Sequence, residues 1–294
     1  MNMSTPGKLF RALAVPGKAT PVLGAINAYS AMLAVKAGAP AVYLSGSGVA
    51  TASHGLPDLG ITNLHDVVHD ASAITSAVKA PLLVDIDTGF GEAFGIRRTI
   101  RELSRAGVAA VHMEDQVSAK RCGHRPGKQL VDTDEMVLRI KCAVDAREDP
   151  DFVIMARTDA LAGEGLHSAL KRSEKYLEAG ADMLFVEAAT EKEHYAAFHK
   201  QFPEVPLLAN ITEFGKTPYY TQKELGELGV ALTLYPLSAH RAMAKAAWTV
   251  YSSILEQGHQ KDVLDLMQTR NELYATIDYH KYEQVLDELV KKAQ

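Results

Sequence analysis

The run AGVAAVHMED, residues 106–115, decides how the chain folds. It opens on Ala-Gly, turns apolar for several residues and ends on two carboxylates. Two more stretches share its shape, AGAPAVYLSG at 37–46 and AGADMLFVEA at 179–188. A glycine just after a helix and just before a strand is the cap that ends the helix and redirects the chain. The runs that follow are near-continuously apolar, which implies burial on both faces and a parallel sheet.

Eight such runs occur, at 22–27, 41–45, 82–87, 109–115, 152–158, 183–187, 207–212 and 231–235. Amphipathic stretches separate them. Asn63 is an expected N-cap ahead of Leu64, Val67, Val68, Ala71, Ile74 and Val78 on one helical face, and Asp132 to Asp134 offer caps for the helix carrying Met136, Ile140 and Ala143. Eight βα units predict an α/β fold, a TIM-type (β/α)8 barrel with an additional C-terminal helical extension. Residues 1–258 are expected to form the barrel, and 259–294 a helical extension of the same domain. No GxGxxG follows the first strand, and SGSGVA at 45–50 is a weak nucleotide signal.

The composition, 47% hydrophobic and 23% charged, is that of a globular chain, and the net charge of −5 argues against nucleic acid as partner. No apolar run nears the roughly 20 residues that span a bilayer. Residues 1–8 lack the core of a signal peptide. Cys122 and Cys142 make no disulfide framework. A cytoplasmic protein without a membrane partner is expected.

In such a barrel the active site lies at the C-terminal strand ends. Those ends supply Tyr43, Ser45, Gly46 and Ser47, then Asp85 and Asp87, Glu114 and Asp115, Arg157 and Asp159, Glu187, and finally Asn210 and Thr212, with Arg241 just beyond the eighth strand. Asp85 and Asp87, two apart on a strand, are expected to point the same way. With Glu114 they form a hard-oxygen site suited to Mg²⁺. Arg157 and Arg241 suit a substrate with several carboxylates. The connection 116–133 is long for a βα loop and carries Lys120-Arg121-Cys122-Gly123-His124. It is expected to act as a mobile lid, and its cations to lower the pKa of Cys122.

The stretches YLSGSGVA (43–50), GLPDLG (55–60), LLVDIDTGFG (82–91), HMEDQVSAKRCGHRPGK (112–128), MARTDA (155–160), ANITEFG (209–215), LYPLSAHRAM (234–243) and MQTRNELY (267–274) together resemble the isocitrate lyase and phosphoenolpyruvate mutase superfamily. The Lys-Arg-Cys-Gly-His spelling is that of its methylisocitrate branch. The resemblance implies Mg²⁺-dependent retro-aldol cleavage of a tricarboxylate, (2S,3R)-2-methylisocitrate, to pyruvate and succinate in propionate breakdown. It implies substrate contacts at Ser45, Gly46, Ser47, Gly123, His124, Arg157, Glu187, Asn210, Ile211, Thr212, Arg241 and Arg270. The family has glycine where Ser47 stands. Cys122 is the expected general acid, His124 supports the developing charge, and Tyr43 or Asp58 is the expected base. Phe185, Leu234 and Pro236 are expected to accommodate the extra methyl group, and a homotetramer with helices exchanged between subunits is implied.

Overall fold

A computed structural model describes residues 4–125 and 127–293. Its centre is a closed barrel of eight parallel strands in sequential order. These are β1 (Thr20–Gly24), β2 (Ala41–Leu44), β3 (Leu82–Asp85), β4 (Ala110–Glu114), β5 (Val153–Thr158), β6 (Met183–Val186), β7 (Leu207–Asn210) and β8 (Leu232–Tyr235). The first and last strands close it, with Val22 opposite Leu234. All eight expected strands form, though most are shorter than their apolar runs. The third run stops at Asp85, and Asp87 adopts a left-handed backbone with φ of 48°. Asp tolerates that conformation because its short side chain can bond the local backbone.

The caps behave as expected. Asn63 accepts from the His65 amide at the start of helix Leu64–Ala77, and Asp132 from the Glu135 amide at the start of helix Thr133–Ala146. Gly38, Gly107 and Gly180 have φ of 98°, 79° and 104°. This left-handed geometry suits glycine and ends each helix before its strand.

Strand alternation sorts side chains between two cores. Val42, Leu44, Val84, Val111, Leu184 and Val186 join helix residues such as Ile74 and Ile100 outside the sheet. Ala41, Tyr43, Leu83, Met155, Phe185, Leu208 and Leu234 fill the barrel, with Phe10 of helix Pro6–Leu13 among them. The same parity turns Asp85, His112, Glu114, Arg157 and Asn210 inward, and this is what assembles the site.

The chain divides into two compact units, one ending at Ser238 and one beginning at Ala239, rather than after residue 258. Helix Ser238–Gln257 has Ser253 as its buried residue, so it lacks the buried apolar stripe of the earlier helices. The second unit continues through helices Arg270–Thr276 and Tyr279–Ala293. Among the described residues no helix is long and apolar enough to cross a membrane.

Candidate active site

Inward parity places Tyr43, Asp85, His112, Glu114 and Arg157 around the upper barrel, all buried. Asp85 Oδ1 accepts from the Asp87 amide at 3.0 Å and its Oδ2 from the Gly46 amide at 3.2 Å. Asp85 and Asp87 therefore meet through a turn rather than as alternate residues of one strand. Gly46 is needed there, because a Cβ would lie 3.0 Å from Asp87 Oδ1. Ser45 precedes this turn and is buried; Ser47 is half-buried.

Glu114 does not join the aspartates. Its Oε2 is 3.0 Å from Arg157 Nη2. Arg157 Nε lies 3.0 Å from Asp159 Oδ2 and 3.7 Å from Glu187 Oε2. Among the described residues no three His, Cys, Asp or Glu side chains gather closely enough to cage a metal. The remaining set still fits Mg²⁺, which binds through one or two carboxylates and completes its shell with water and substrate. Asp87 Oδ1 meets the Lys120 ammonium at 2.8 Å, and buried Glu114 Oε1 accepts no hydrogen bond. Burial, then Asp85, pushes Asp87 up to about 6, and burial raises Glu114 well above the usual carboxylate range. Asp58, Asp85, Asp87, Glu114, Asp159 and Glu187 outnumber Lys120, Lys128 and Arg157, so the bowl has room for a further positive charge.

The 116–133 loop is docked over this bowl. Gln116 pins its base: its Nε2 donates to the Arg121 carbonyl at 2.9 Å and its Oε1 accepts from the Arg121 amide at 3.0 Å. Lys120, 4% exposed, bridges Asp58 and Asp87. His124 Nδ1 accepts from the Lys216 amide at 2.9 Å, which assigns the ring proton to Nε2, 2.7 Å from Glu187 Oε1. Asn210 Nδ2 also donates to Glu187, at 3.3 Å. Burial alone would raise Glu187, but Arg157 and then His124 hold it well below the usual carboxylate range. Gly123 sits directly on this pair; a Cβ there would lie 2.5 Å from Arg157 Nη2 and 2.6 Å from Glu187 Cγ. Ile211 and Thr212 follow β7 and are buried.

Cys122 is exposed and lines a cavity of about 490 Å³ with Pro57, Asp58, Leu59, Arg121 and Arg125. Its pKa is raised, not lowered as the loop's cations suggested. Desolvation by the surrounding protein is the largest cause, with Asp58 and Glu187 adding to it; the His124 amide and Arg157 oppose it. Two of the loop's cations face carboxylates instead of the thiol, Lys120 against Asp58 and Asp87 and Lys128 against Asp159. Phe185 and Leu234 lie fully buried inside the barrel. Pro57 and Leu59 are the apolar groups beside the thiol.

The sequence profile of the phosphoenolpyruvate phosphomutase family matches residues 10–255. The chain is 56% identical over 292 residues to the 2-methylisocitrate lyase of Salmonella typhimurium, covering 99% of each. It belongs to the 2-methylisocitrate lyase family. Its fold matches a crystal structure of 2,3-dimethylmalate lyase, a PEP mutase/isocitrate lyase superfamily member, with a TM-score of 0.89 and 36% identity over 96% of this chain and 95% of that one. It also matches a phosphonopyruvate hydrolase solved with oxalate and Mg²⁺, with a TM-score of 0.83 and 31% identity over 96% and 98% of the two chains.

Within this family frame, the first unit brings together Tyr43, Ser45, Gly46, Asp58, Asp85, Asp87, Gly123, His124, Arg157, Glu187 and Asn210. Arg241, in the first turn of helix Ser238–Gln257, and Arg270, the first residue of helix Arg270–Thr276, belong to the second unit. His112 was missed by sequence reasoning. It is fully buried, its Nε2 2.9 Å from the Tyr43 hydroxyl, and its ring packs edge-on to Phe185. Burial lowers its pKa to about 4, so it is neutral. Its place two residues before Glu114 on β4 was the available signal, since alternate residues share a face.

Proposed function

We propose that this protein cleaves (2S,3R)-2-methylisocitrate to pyruvate and succinate by a Mg²⁺-dependent retro-aldol reaction. The observation that carries the reading is the docked Lys120–His124 segment, which sets a protonated thiol beside a bowl of paired carboxylates and arginine. Asp85 and Asp87 would hold the metal, which when bound would polarise the substrate's hydroxyl and neighbouring carboxylate. Arg157 and His124 orient carboxylates, and Asn210 adds a neutral donor; such preset donors stabilise charge that develops during bond scission.

Of the two base candidates, Tyr43 keeps its proton. Burial, then Asp85, raises its pKa well above 10. Asp58 is therefore the better base for the substrate hydroxyl, and it faces the same cavity as Cys122. The raised pKa keeps Cys122 a thiol at neutral pH, the form that can protonate the carbon released as succinate. Ser45, Gly46, Ser47, Gly123, Ile211 and Thr212 shape the carboxylate subsites, and Arg241 and Arg270 are the further substrate contacts that the family resemblance implies. Leu59 and Pro57 accommodate the methyl group.

The same reading carries a cytoplasmic role in propionate breakdown and a homotetramer with exchanged helices. Trp248, Tyr251 and Leu255 of helix Ser238–Gln257 are strongly exposed, which suits a helix that packs on another subunit. Cleavage of methylisocitrate and isocitrate measured side by side tests the substrate. A methyl-sized pocket is worth about 1–3 kcal/mol, so methylisocitrate should be favoured by roughly 10- to 200-fold in kcat/KM. Equal or better turnover of isocitrate would overturn the assignment.

A further inference from the structure

Lys128 closes the far side of the 116–133 loop, where its Nζ lies 2.7 Å from Asp159 Oδ1. Both side chains are nearly inaccessible, at 7% and 0%. A lysine that abandons water on a long connection needs a strong partner, and Asp159 is that partner. Asp159 does a second thing. Its Oδ2 accepts from Arg157 Nε at 3.0 Å and its Oδ1 from Arg157 Nη2 at 3.3 Å. One carboxylate therefore holds both the loop and the arginine that faces Glu114 and Glu187.

Asp159 is itself fixed from behind. Asp115, fully buried, accepts from the Asp159 amide at 2.8 Å, from Thr158 Oγ1 at 2.8 Å and from the Tyr176 hydroxyl at 2.9 Å. The segment between the loop's stems can leave without disturbing this anchor, because Asp115 and Thr158 stand at the ends of β4 and β5 and Tyr176 belongs to helix Leu166–Glu178 packed behind them. On the other side of the loop, Gln116 pairs with Leu130 as an isolated bridge, so the two stems stay joined while the segment between them moves.

We infer that Lys128 and Asp159 form the latch of the 116–133 loop, and that Asp159 ties loop docking to the orientation of Arg157. Lys128 is a positioning residue. It acts through Asp159, and through the loop it brings Cys122 and His124 to the bowl. Gly127, with φ of 79°, sits beside it and supplies the turn that aims Lys128 inward. When the latch opens, Asp159 keeps Arg157 but loses its second cation, so the arginine and the loop respond together.

The test is amide hydrogen exchange across residues 117–125 in the substrate-free protein, comparing wild type with Lys128→Gln, Lys128→Arg and Asp159→Asn. Lys128→Gln should speed exchange of the loop about tenfold or more, the change expected when one charge-assisted hydrogen bond is lost. Barrel exchange and the melting temperature should stay unchanged. Lys128→Arg should restore most of the protection. Asp159→Asn should open the loop as Lys128→Gln does, and the double variant should be no more open than the worse single one. Unchanged loop exchange in Lys128→Gln overturns the latch, as do faster exchange spread over the barrel or additive effects in the double variant. In turnover, kcat/KM for methylisocitrate should fall in step with loop opening across the series. That arm alone rests on the proposed lyase reading. A wild-type protein that fails to cleave methylisocitrate sinks that reading and leaves the exchange result standing.

Discussion

Replacing Gly123 with alanine isolates what loop docking contributes. The added Cβ would stand 2.5 Å from Arg157 Nη2 and 2.6 and 2.7 Å from Glu187 Cγ and Cδ. Neither neighbour can yield cheaply: Arg157 is held by Glu114 and Asp159 at 3.0 Å each, and Glu187 is 1% exposed with His124 at 2.7 Å. The loop must therefore back away by about 1 Å, a displacement that can cost on the order of 100-fold in rate when it moves a reacting group. That factor corresponds to about 2.7 kcal/mol of transition-state stabilisation. It also lies within the roughly 1–3 kcal/mol typical of overpacking. Steady-state cleavage of methylisocitrate should show kcat/KM down about 100-fold, while thermal melting stays at the wild-type value because the barrel is untouched. A Gly123→Ala protein with wild-type kcat/KM would refute the docking argument, and one with a markedly lower melting temperature would mean that the barrel, not the loop, absorbs the clash.

Three further outcomes are expected. Alkylation of Cys122 by iodoacetamide, followed by peptide mass spectrometry, should be slower at pH 7 than that of an unfolded peptide carrying the same cysteine, and should accelerate at a higher pH than the peptide does. The group's raised pKa favours the unreactive thiol, so alkylation at pH 7 as fast as in the unfolded peptide would contradict it. Asp115→Ala should lower the free energy of chemical unfolding by about 3–5 kcal/mol, since it strands buried donors from Thr158, Asp159 and Tyr176; a loss below 1 kcal/mol would mean water replaces the carboxylate. Chelation with EDTA should abolish cleavage and added Mg²⁺ restore it, and activity indifferent to EDTA would remove the metal from the mechanism.

The barrel was legible because its signals are local. Glycines at 38, 107 and 180 end helices, apolar runs mark strands, and alternation says which side chains face inward. The rule that active sites lie at C-terminal strand ends pointed to Asp85, Arg157 and Asn210. What stayed hidden depends on partners distant in sequence. Asp87 reads as a strand residue, but the chain turns at Asp85 and delivers it by a left-handed bend. Glu114 reads as a third metal ligand, yet the neighbouring strand sets Arg157 opposite it. The loop reads as a cloud of positive charge around Cys122, but Lys120 folds inward onto Asp58 and Asp87. Counting charges along a sequence cannot show which of them are already neutralised. His112 shares the inward parity of Glu114, but the partner that marks it, the Tyr43 hydroxyl, comes from a strand distant in sequence.

The most direct measurement is substrate binding and turnover by Cys122→Ser. If the thiol delivers the proton to the departing carbon, the variant should bind methylisocitrate within a few-fold of wild type and turn over at least about 100-fold more slowly. A Cys122→Ser protein that keeps full turnover would contradict the assignment of Cys122 as the acid of a carbon–carbon lyase.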